Sequence, residues 1–252
     1  MSAFRDHFSA RSEAYAAYRP TYPVALVDFL ASVSPDANLA LDCGCGTGQL
    51  SVLLAARFRE VVATDASAAQ IKNAKVCSGV TYRVAAAEES GLPEGVVDLV
   101  TVAQAAHWFD LPAFYAEVLR VARPGAIIAL VTYGHLHTES GCDRIIRKFY
   151  RDTLGPYWPP ERRHVEDGYR SLPFPFSEIE PPRLTIEASW NLFELVGYLD
   201  TWSAVRALEK QAGPAPLESL RRELTEVWGD AGARHRVQWP LALRVGRIDK
   251  AA

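Results

Sequence analysis

The sequence predicts an α/β protein: a doubly wound, mostly parallel seven-stranded sheet with helices on both faces and an antiparallel strand at the end. Three observations carry that prediction. Short apolar runs at Leu39–Leu41, Val61–Ala63, Leu99–Ala103 and Ala126–Tyr133 alternate with helix-spaced segments, the pattern of buried parallel strands joined by crossover helices. The first run ends in an acid and enters a turn with glycine at 44, 46 and 48; such a turn lets a ligand approach bare backbone where a helix begins. The last apolar segment alternates strictly, with Val237, Trp239, Leu241, Leu243 and Val245 on one face and Arg236, Gln238 and Arg244 on the other. That is the period of a strand added late to the sheet.

Taken in order, residues 4–17 read as a helix with Phe4, Phe8, Tyr15 and Tyr18 loosely on one side, closed by the prolines at 20 and 23. A second helix starts at Pro23 and carries Leu26, Val27 and Leu30 to about Val33. After the glycine turn, Leu50, Leu53, Leu54 and Phe58 recur at helical spacing. Val61–Asp65 is a strand ending in an acid, Val80–Val84 a third, and Asp98–Ala103 a near-continuous apolar strand of central type. Leu111-Pro112 opens a helix, Arg123-Pro124-Gly125 ends it, and Ala126–Tyr133 is the fifth strand. Residues 134–182 change character, with Pro156–Pro160 and Pro173–Phe176 rich in proline and aromatics around one helix, Asp143–Leu154. Proline stiffens backbone and aromatics supply wall area, so this stretch reads either as a pocket lid or as a packed surface excursion. A strand over 183–190, helices near 193–208 and 217–228, and the alternating strand complete the chain; Pro240 places that strand at an edge or a bulge.

Composition bounds the partners. The chain has 252 residues and a net charge of −3, enough for one domain with an insertion. It lacks a long basic run, which speaks against nucleic acid, and an apolar run long enough to cross a membrane. Its first residues carry charges and no apolar signal core, so the expectation is a soluble cytoplasmic protein. Cys43, Cys45, Cys77 and Cys142 show neither C-x-x-C nor zinc spacing, so they are read as thiols. His135-x-His137 has no third ligand at metal spacing, and no metal is expected.

The turn narrows the ligand. A dinucleotide fingerprint asks for G-x-G-x-x-G, but residue 49 is Gln and the third glycine is Gly48. Asp42 stands two residues before the first glycine, placed to take an ammonium group, while the helix start favours a carboxylate. Asp65 lies at the end of the neighbouring strand, within reach of a ribose, with a helix N-cap as the alternative. The acid followed by G-x-G-x-G resembles the first motif of class I S-adenosylmethionine-dependent methyltransferases. The run from strand four through Ala106-His-Trp-Phe-Asp110, Arg123-Pro-Gly-Ala126 and strand five resembles the type-11 group, which includes trans-aconitate methyltransferase-like proteins. Tyr15…Tyr18-Arg19-Pro20…Tyr22-Pro23 resembles the N-terminal cap of small-molecule methyltransferases, and Trp202–Arg206 and Val237–Leu241 resemble segments of the same group. Many relatives carry an aspartate near Ala86 for the adenine amine; this chain does not, which leaves backbone groups or Glu88.

The resemblance implies one methyltransferase domain: a helical cap at 1–35, a cofactor-binding core at 36–133, an insertion or lid at 134–182, and C-terminal strands and helices at 183–252. The candidate cofactor residues are Asp42, Gly44, Cys45, Gly46, Gly48, Asp65, Ala66, Ala87, Glu88 and Gln104. The candidate acceptor pocket is Tyr18, Arg19, Tyr22, His107 and Trp108, with His107 the candidate catalytic base or, in a milder role, a hydrogen-bonding group for the acceptor. The expected activity is methyl transfer from S-adenosylmethionine to a small molecule, a carboxylic acid being the acceptor class the resemblance reaches. A non-catalytic S-adenosylmethionine-binding regulator and an NAD-dependent oxidoreductase are the alternatives. The sequence leaves the oligomeric state open.

Overall fold

The computed structural model describes residues 20–249. The expected helix over 4–17, together with Tyr18 and Arg19, lies outside the described residues. Helix α1 (Val24–Val33) leads into β1 (Leu39–Cys43), the glycine turn and α2 (Ser51–Leu54), then β2 (Glu60–Asp65), α3 (Ala68–Lys72), β3 (Val80–Val84) and β4 (Val97–Ala103). A 3-10 turn, Ala106–Trp108, precedes α4 (Leu111–Val121) and β5 (Ala122–Tyr133). The insertion holds β6 (His137–Thr138), α5 (Asp143–Lys148), α6 (Arg162–Glu166) and β7 (Ser177–Ile179). The chain then supplies β8 (Thr185–Trp190), α7 (Leu192–Asp200), α8 (Ser203–Ala212), α9 (Ala215–Trp228) and β9 (His235–Arg247).

Strands β3-β2-β1-β4-β5 are parallel in that order, and β9 adds antiparallel to β5, with β8 antiparallel beyond it. β6 and β7 also pair with β9. The chain winds outward from β1 to β3, then returns to place β4 on the other side. The switch point between β1 and β4 is where an open sheet of this kind leaves a crevice at its carboxyl ends. Alternate strand residues feed two cores. Leu99, Ile127, Ala129 and Val131 pack with Leu26, Leu30, Leu54 and the C-terminal helices, while Val100, Val102, Ile128 and Leu130 pack with Phe114 and Val118 of α4. A strand buried on both faces favours apolar residues on either side, which is why β4 and β5 read as near-continuous runs.

Several elements differ from expectation. The helix after the glycine turn is a single turn, Ser51–Leu54, continued as irregular turns to Phe58. The helix expected near 193–208 is two: α7, capped reciprocally by Asn191 and Glu194, and α8, with the break at Thr201-Trp202. Trp202 is drawn out of helical register onto an aromatic cluster, its ring 5.4 Å from Tyr150, 5.8 Å from Trp158 and 5.9 Å from Tyr198. α5 passes into a π-helical turn at Phe149–Thr153. β9 is not an edge strand. Its first half pairs with β8 and its second half with β5, and Pro240 sits at the handover, where the missing N–H interrupts least.

Asp98, fully buried at the start of β4, ties together the starts of β1 and β5. Its Oδ2 accepts from the amides of Asn38 (3.0 Å) and Leu39 (2.9 Å), and its Oδ1 lies 3.1 Å from Arg123. Asp98→Asn keeps an acceptor for the amides but removes the charge opposite Arg123. The expected loss is about 1–2 kcal/mol of unfolding free energy, read by urea titration; an unchanged midpoint would show that the ion pair contributes nothing.

Candidate active site

A cavity of about 1100 Å³ opens at the carboxyl ends of the strands, over the switch point. Asp42, Gly44, Cys45, Gly46, Asp65, Ala66, Ala87, Glu88 and Gln104 line it, as do Tyr22, His107 and Trp108. These are candidates separated by up to 86 residues in sequence, and the parallel strand ends bring them to one surface.

The glycines have distinct jobs. Gly46 is left-handed (φ +58°), and a Cβ there would meet only the ends of Gln49 and Gln70, at 3.9 Å. It leaves a bare cradle of backbone at the cavity. Gly44 and Gly48 are packing positions: a Cβ at Gly44 would lie 2.6 Å from that of Ala105, and one at Gly48 2.1 Å from the Tyr82 hydroxyl. Gly48 does not line the cavity, so the third glycine serves the fit of β3 against the turn.

Asp65 is anchored by the turn it was expected to serve. Its Oδ2 accepts from the amide of Gly46 (2.9 Å) and its Oδ1 from that of Ser67 (2.8 Å). The helix N-cap of α3 is Ser67, not Asp65. Asp42 is buried, with Ser51 Oγ donating at 2.6 Å and Thr101 Oγ1 at 2.8 Å, one to each carboxylate oxygen. Burial raises its pKa to about 6 against the opposing pull of the two hydroxyls, and the charge of Asp65 adds to the rise. Cys43 and Cys45 are buried thiols whose pKa burial pushes up, which makes them inert fillers of the turn.

Glu88 accepts from the amide of Asp110 (2.9 Å), so one of its oxygens braces the loop. Gln104, left-handed at φ +59°, has its amide held at both ends: Nε2 donates to Tyr133 O (2.8 Å) and Oε1 accepts from Thr132 (3.0 Å). It presents mainly backbone to the cavity. His107 Nδ1 lies 2.9 Å from the hydroxyl of Tyr169, a fully buried residue. Burial, with smaller contributions from Arg162 and His164, lowers the His107 pKa to about 3, so the ring is neutral at physiological pH. Trp108 stands beside it, ring centroids 4.8 Å apart.

Sequence reading missed several wall residues: Gln49, Ser67, Gln70, Phe109, Asp110 and, from the insertion, Pro159, Pro160 and Glu161. The Pro156–Pro160 run was the available signal for the last three, and the insertion does supply cavity wall. Behind that wall, Arg162 stacks on Trp158 (4.8 Å to the ring centroid) and donates from Nε to the Tyr150 hydroxyl (2.8 Å), which itself donates to Glu166. Among the described lining residues every charged one is a carboxylate: Asp42, Asp65, Glu88, Asp110 and Glu161. That donor set suits a cationic ligand such as the ammonium and sulfonium of S-adenosylmethionine, and the Gly46 cradle suits its carboxylate. The described residues hold no cluster of His, Cys, Asp and Glu able to bind a metal and no helix long and apolar enough to cross a membrane.

Residues 41–130 match the family model described as methyltransferase domain. The chain is similar to a Dictyostelium discoideum protein named as a methyltransferase, with 35% identity over 229 residues, 89% of this chain and 87% of that protein. It is similar to a solved structure from Anaeromyxobacter dehalogenans named as a type II methyltransferase, at 49% identity and TM-score 0.88, covering 93% of this chain and 100% of that one. Over a shorter span it resembles a Serratia marcescens protein named malonyl-[acyl-carrier protein] O-methyltransferase, 34% identical over 94 residues, 36% of this chain and 37% of that protein.

Proposed function

The chain belongs to the class I S-adenosylmethionine-dependent methyltransferases of the methyltransferase domain family, and from that premise we propose that its acceptor is a small-molecule carboxylic acid, methylated on oxygen. The enzyme is a methyltransferase and its cofactor is S-adenosylmethionine. When bound, that cofactor supplies an electrophilic methyl group. In the proposed assignment Asp42 faces the ammonium, the Gly44–Gly46 backbone the carboxylate, Asp65 the ribose hydroxyls, and Ala87, Glu88 and the Gln104 backbone the adenine side. Tyr22, His107 and Trp108 line the acceptor end, with Tyr18 and Arg19 assigned there from sequence.

The observation that carries the acceptor class is the partner of His107. A histidine base of ordinary design is held by a carboxylate that stabilises its imidazolium; here the partner is a phenol and the ring stays neutral. A site without a primed base suits an acceptor that has no proton to lose. A carboxylate oxygen is such an acceptor, becoming a neutral ester. Placement then does the work, and effective concentration contributes about 7–11 kcal/mol in well-oriented reactions. Arg162 supplies positive potential near His107, and Arg19 is the cation the sequence offers at the cap. The Serratia relative, whose printed substrate name carries a carboxyl group, supports the same class. Glu161 on the cavity wall favours a second reading, an amine acceptor. We read residues 134–182 as the acceptor-side wall of a single domain.

The test is a panel of small acids, phenols and amines incubated with cofactor and read by mass spectrometry for addition of one methyl. Methylated acids are expected; methylation confined to amines would overturn the acid reading in favour of the second. With an acid acceptor, His107→Ala is expected to raise KM by about three- to tenfold, the value of one hydrogen bond, with kcat changed less. A fall in kcat of about 10²-fold or more with KM unchanged would identify a general base instead.

A further inference from the structure

We infer that Tyr169 is a positioning residue that fixes the tautomer of His107, placing the imidazole hydrogen on Nε2 so that the ring meets the acceptor as a hydrogen-bond donor. The identity of the group receiving that bond rests on the carboxylate reading; the tautomer does not.

The backbone that carries Tyr169 has a conformation L-residues rarely adopt. Gly168 and Tyr169 are both left-handed, at φ +69° and +64°, and a Cβ at Gly168 would lie 2.8 Å from that of Ala242. A tyrosine in this region carries strain that persists only where its surroundings over-determine it. They do: the Tyr169 amide donates to His164 O at 2.7 Å, its carbonyl accepts from Arg244 at 3.2 Å, and its side chain is fully buried. The result drives one phenol under the 3-10 turn after β4, its hydroxyl 2.9 Å from His107 Nδ1.

That single contact has two directions, and the neighbours choose between them. His107 Nδ1 lies within hydrogen-bond distance of the Tyr169 hydroxyl, and the hydrogen of a fully buried phenol needs an acceptor. The remaining hydroxyl nearby, Thr132, commits its own hydrogen to Gln104 Oε1, and Gln104 is held in that orientation by its bond to Tyr133 O. The phenol hydrogen therefore has the imidazole nitrogen and the Thr132 oxygen to choose between. An imidazole nitrogen is a stronger acceptor than an alcohol oxygen, so that hydrogen goes to Nδ1. A neutral ring that accepts at Nδ1 carries its hydrogen at Nε2. Nδ1 faces Tyr169, which is not part of the cavity lining, while the ring itself lines the cavity. The depressed pKa keeps the ring neutral, so it carries one hydrogen only. With its lone pair turned inward, His107 has no base to offer the acceptor, and an N–H aimed at the acceptor selects an oxygen with free lone pairs.

The full-length protein labelled with ¹⁵N decides the point without a substrate. Long-range proton–nitrogen correlation at pH 7 is expected to show the His107 ring, identified by its absence in His107→Gln, with a protonated Nε2 and a bare Nδ1. The reverse pattern would overturn the assignment. Tyr169→Phe removes only the hydroxyl; it is expected to mix the two tautomers and raise the acceptor KM by about three- to tenfold with little change in kcat. An unchanged His107 pattern in that variant would show that Tyr169 only packs. If Tyr169→Phe does not fold, the wild-type spectrum still decides the tautomer. Hydrogen on Nε2 with no acid methylated would leave this assignment standing and remove the carboxylate reading; hydrogen on Nδ1 with acids methylated would do the opposite.

Discussion

Asp65→Ala is expected to weaken S-adenosylmethionine binding by about ten- to a hundredfold, as read by calorimetry. Two ribose hydroxyls donating to one carboxylate are charge-assisted bonds, and removing them costs about 1.5–3 kcal/mol, which converts to that range. The structure adds a second route to the same loss. The carboxylate also accepts from the amides of Gly46 and Ser67, so alanine frees the turn that forms the cradle. The melting temperature without ligand should therefore fall as well, although Asp65 sits at a strand end. Asp65→Asn separates the two routes, because an amide oxygen retains an acceptor for a backbone N–H while losing the charge. Its stability should stay nearer the wild type while its affinity falls. An unchanged affinity in both variants would mean that Asp65 holds only the turn.

Acidification is expected to weaken cofactor binding by up to about two decades between pH 6.5 and 4, and Asp42→Asn to abolish that dependence. Burial holds the Asp42 pKa at about 6, above its ordinary 3.8. An ammonium group brought beside it favours the ionised form, so binding lowers the pKa and releases a proton. Affinity then rises with pH through the window between the bound and free values and is flat above it. The α-amino group of the ligand titrates near pH 8 and leaves this window clear. Unfolding stability is a poorer readout, because two groups oppose each other. Raised Asp42 binds more protons folded than unfolded between about 3.8 and 6, so its contribution falls as pH rises there. Lowered His107 does the reverse, its contribution being lost as pH falls from 6.5 toward 3. A flat binding profile in the wild type would remove Asp42 from the ammonium site.

The central strands were legible because a strand buried on both faces narrows the choice of residue type; β2, β3 and β4 fall within one residue of the expected runs, and β1 runs two residues past Leu41. The glycine turn was legible as a whole but not glycine by glycine. Only packing shows that a side chain at Gly46 would meet no close neighbour while Gly48 makes room for Tyr82. The C-terminal half was harder. Trp202 breaks a periodic helical stretch by moving onto aromatics that arrive from the insertion, and no local window contains both partners. β9 alternates like an edge strand, yet each of its halves has two partners, β8 and β6 on the first and β5 and β7 on the second. His107 was found from its place after a central strand. Its partner was not, because Tyr169 lies 62 residues away in a segment with neither helical nor strand period.

The acceptor chemistry is tested most directly by the bond the methyl group ends in. Cofactor labelled in the transferred methyl is turned over with the best acid of the panel, and the isolated product is treated with mild alkali. A methyl ester releases its label as volatile methanol, with a formation rate that does not track an imidazole pKa between pH 6 and 8; that is the predicted result. Label that survives alkali, in a product formed at a rate rising through the imidazole range, would place the methyl on nitrogen or a phenol, demand a base, and contradict the base-free carboxylate site.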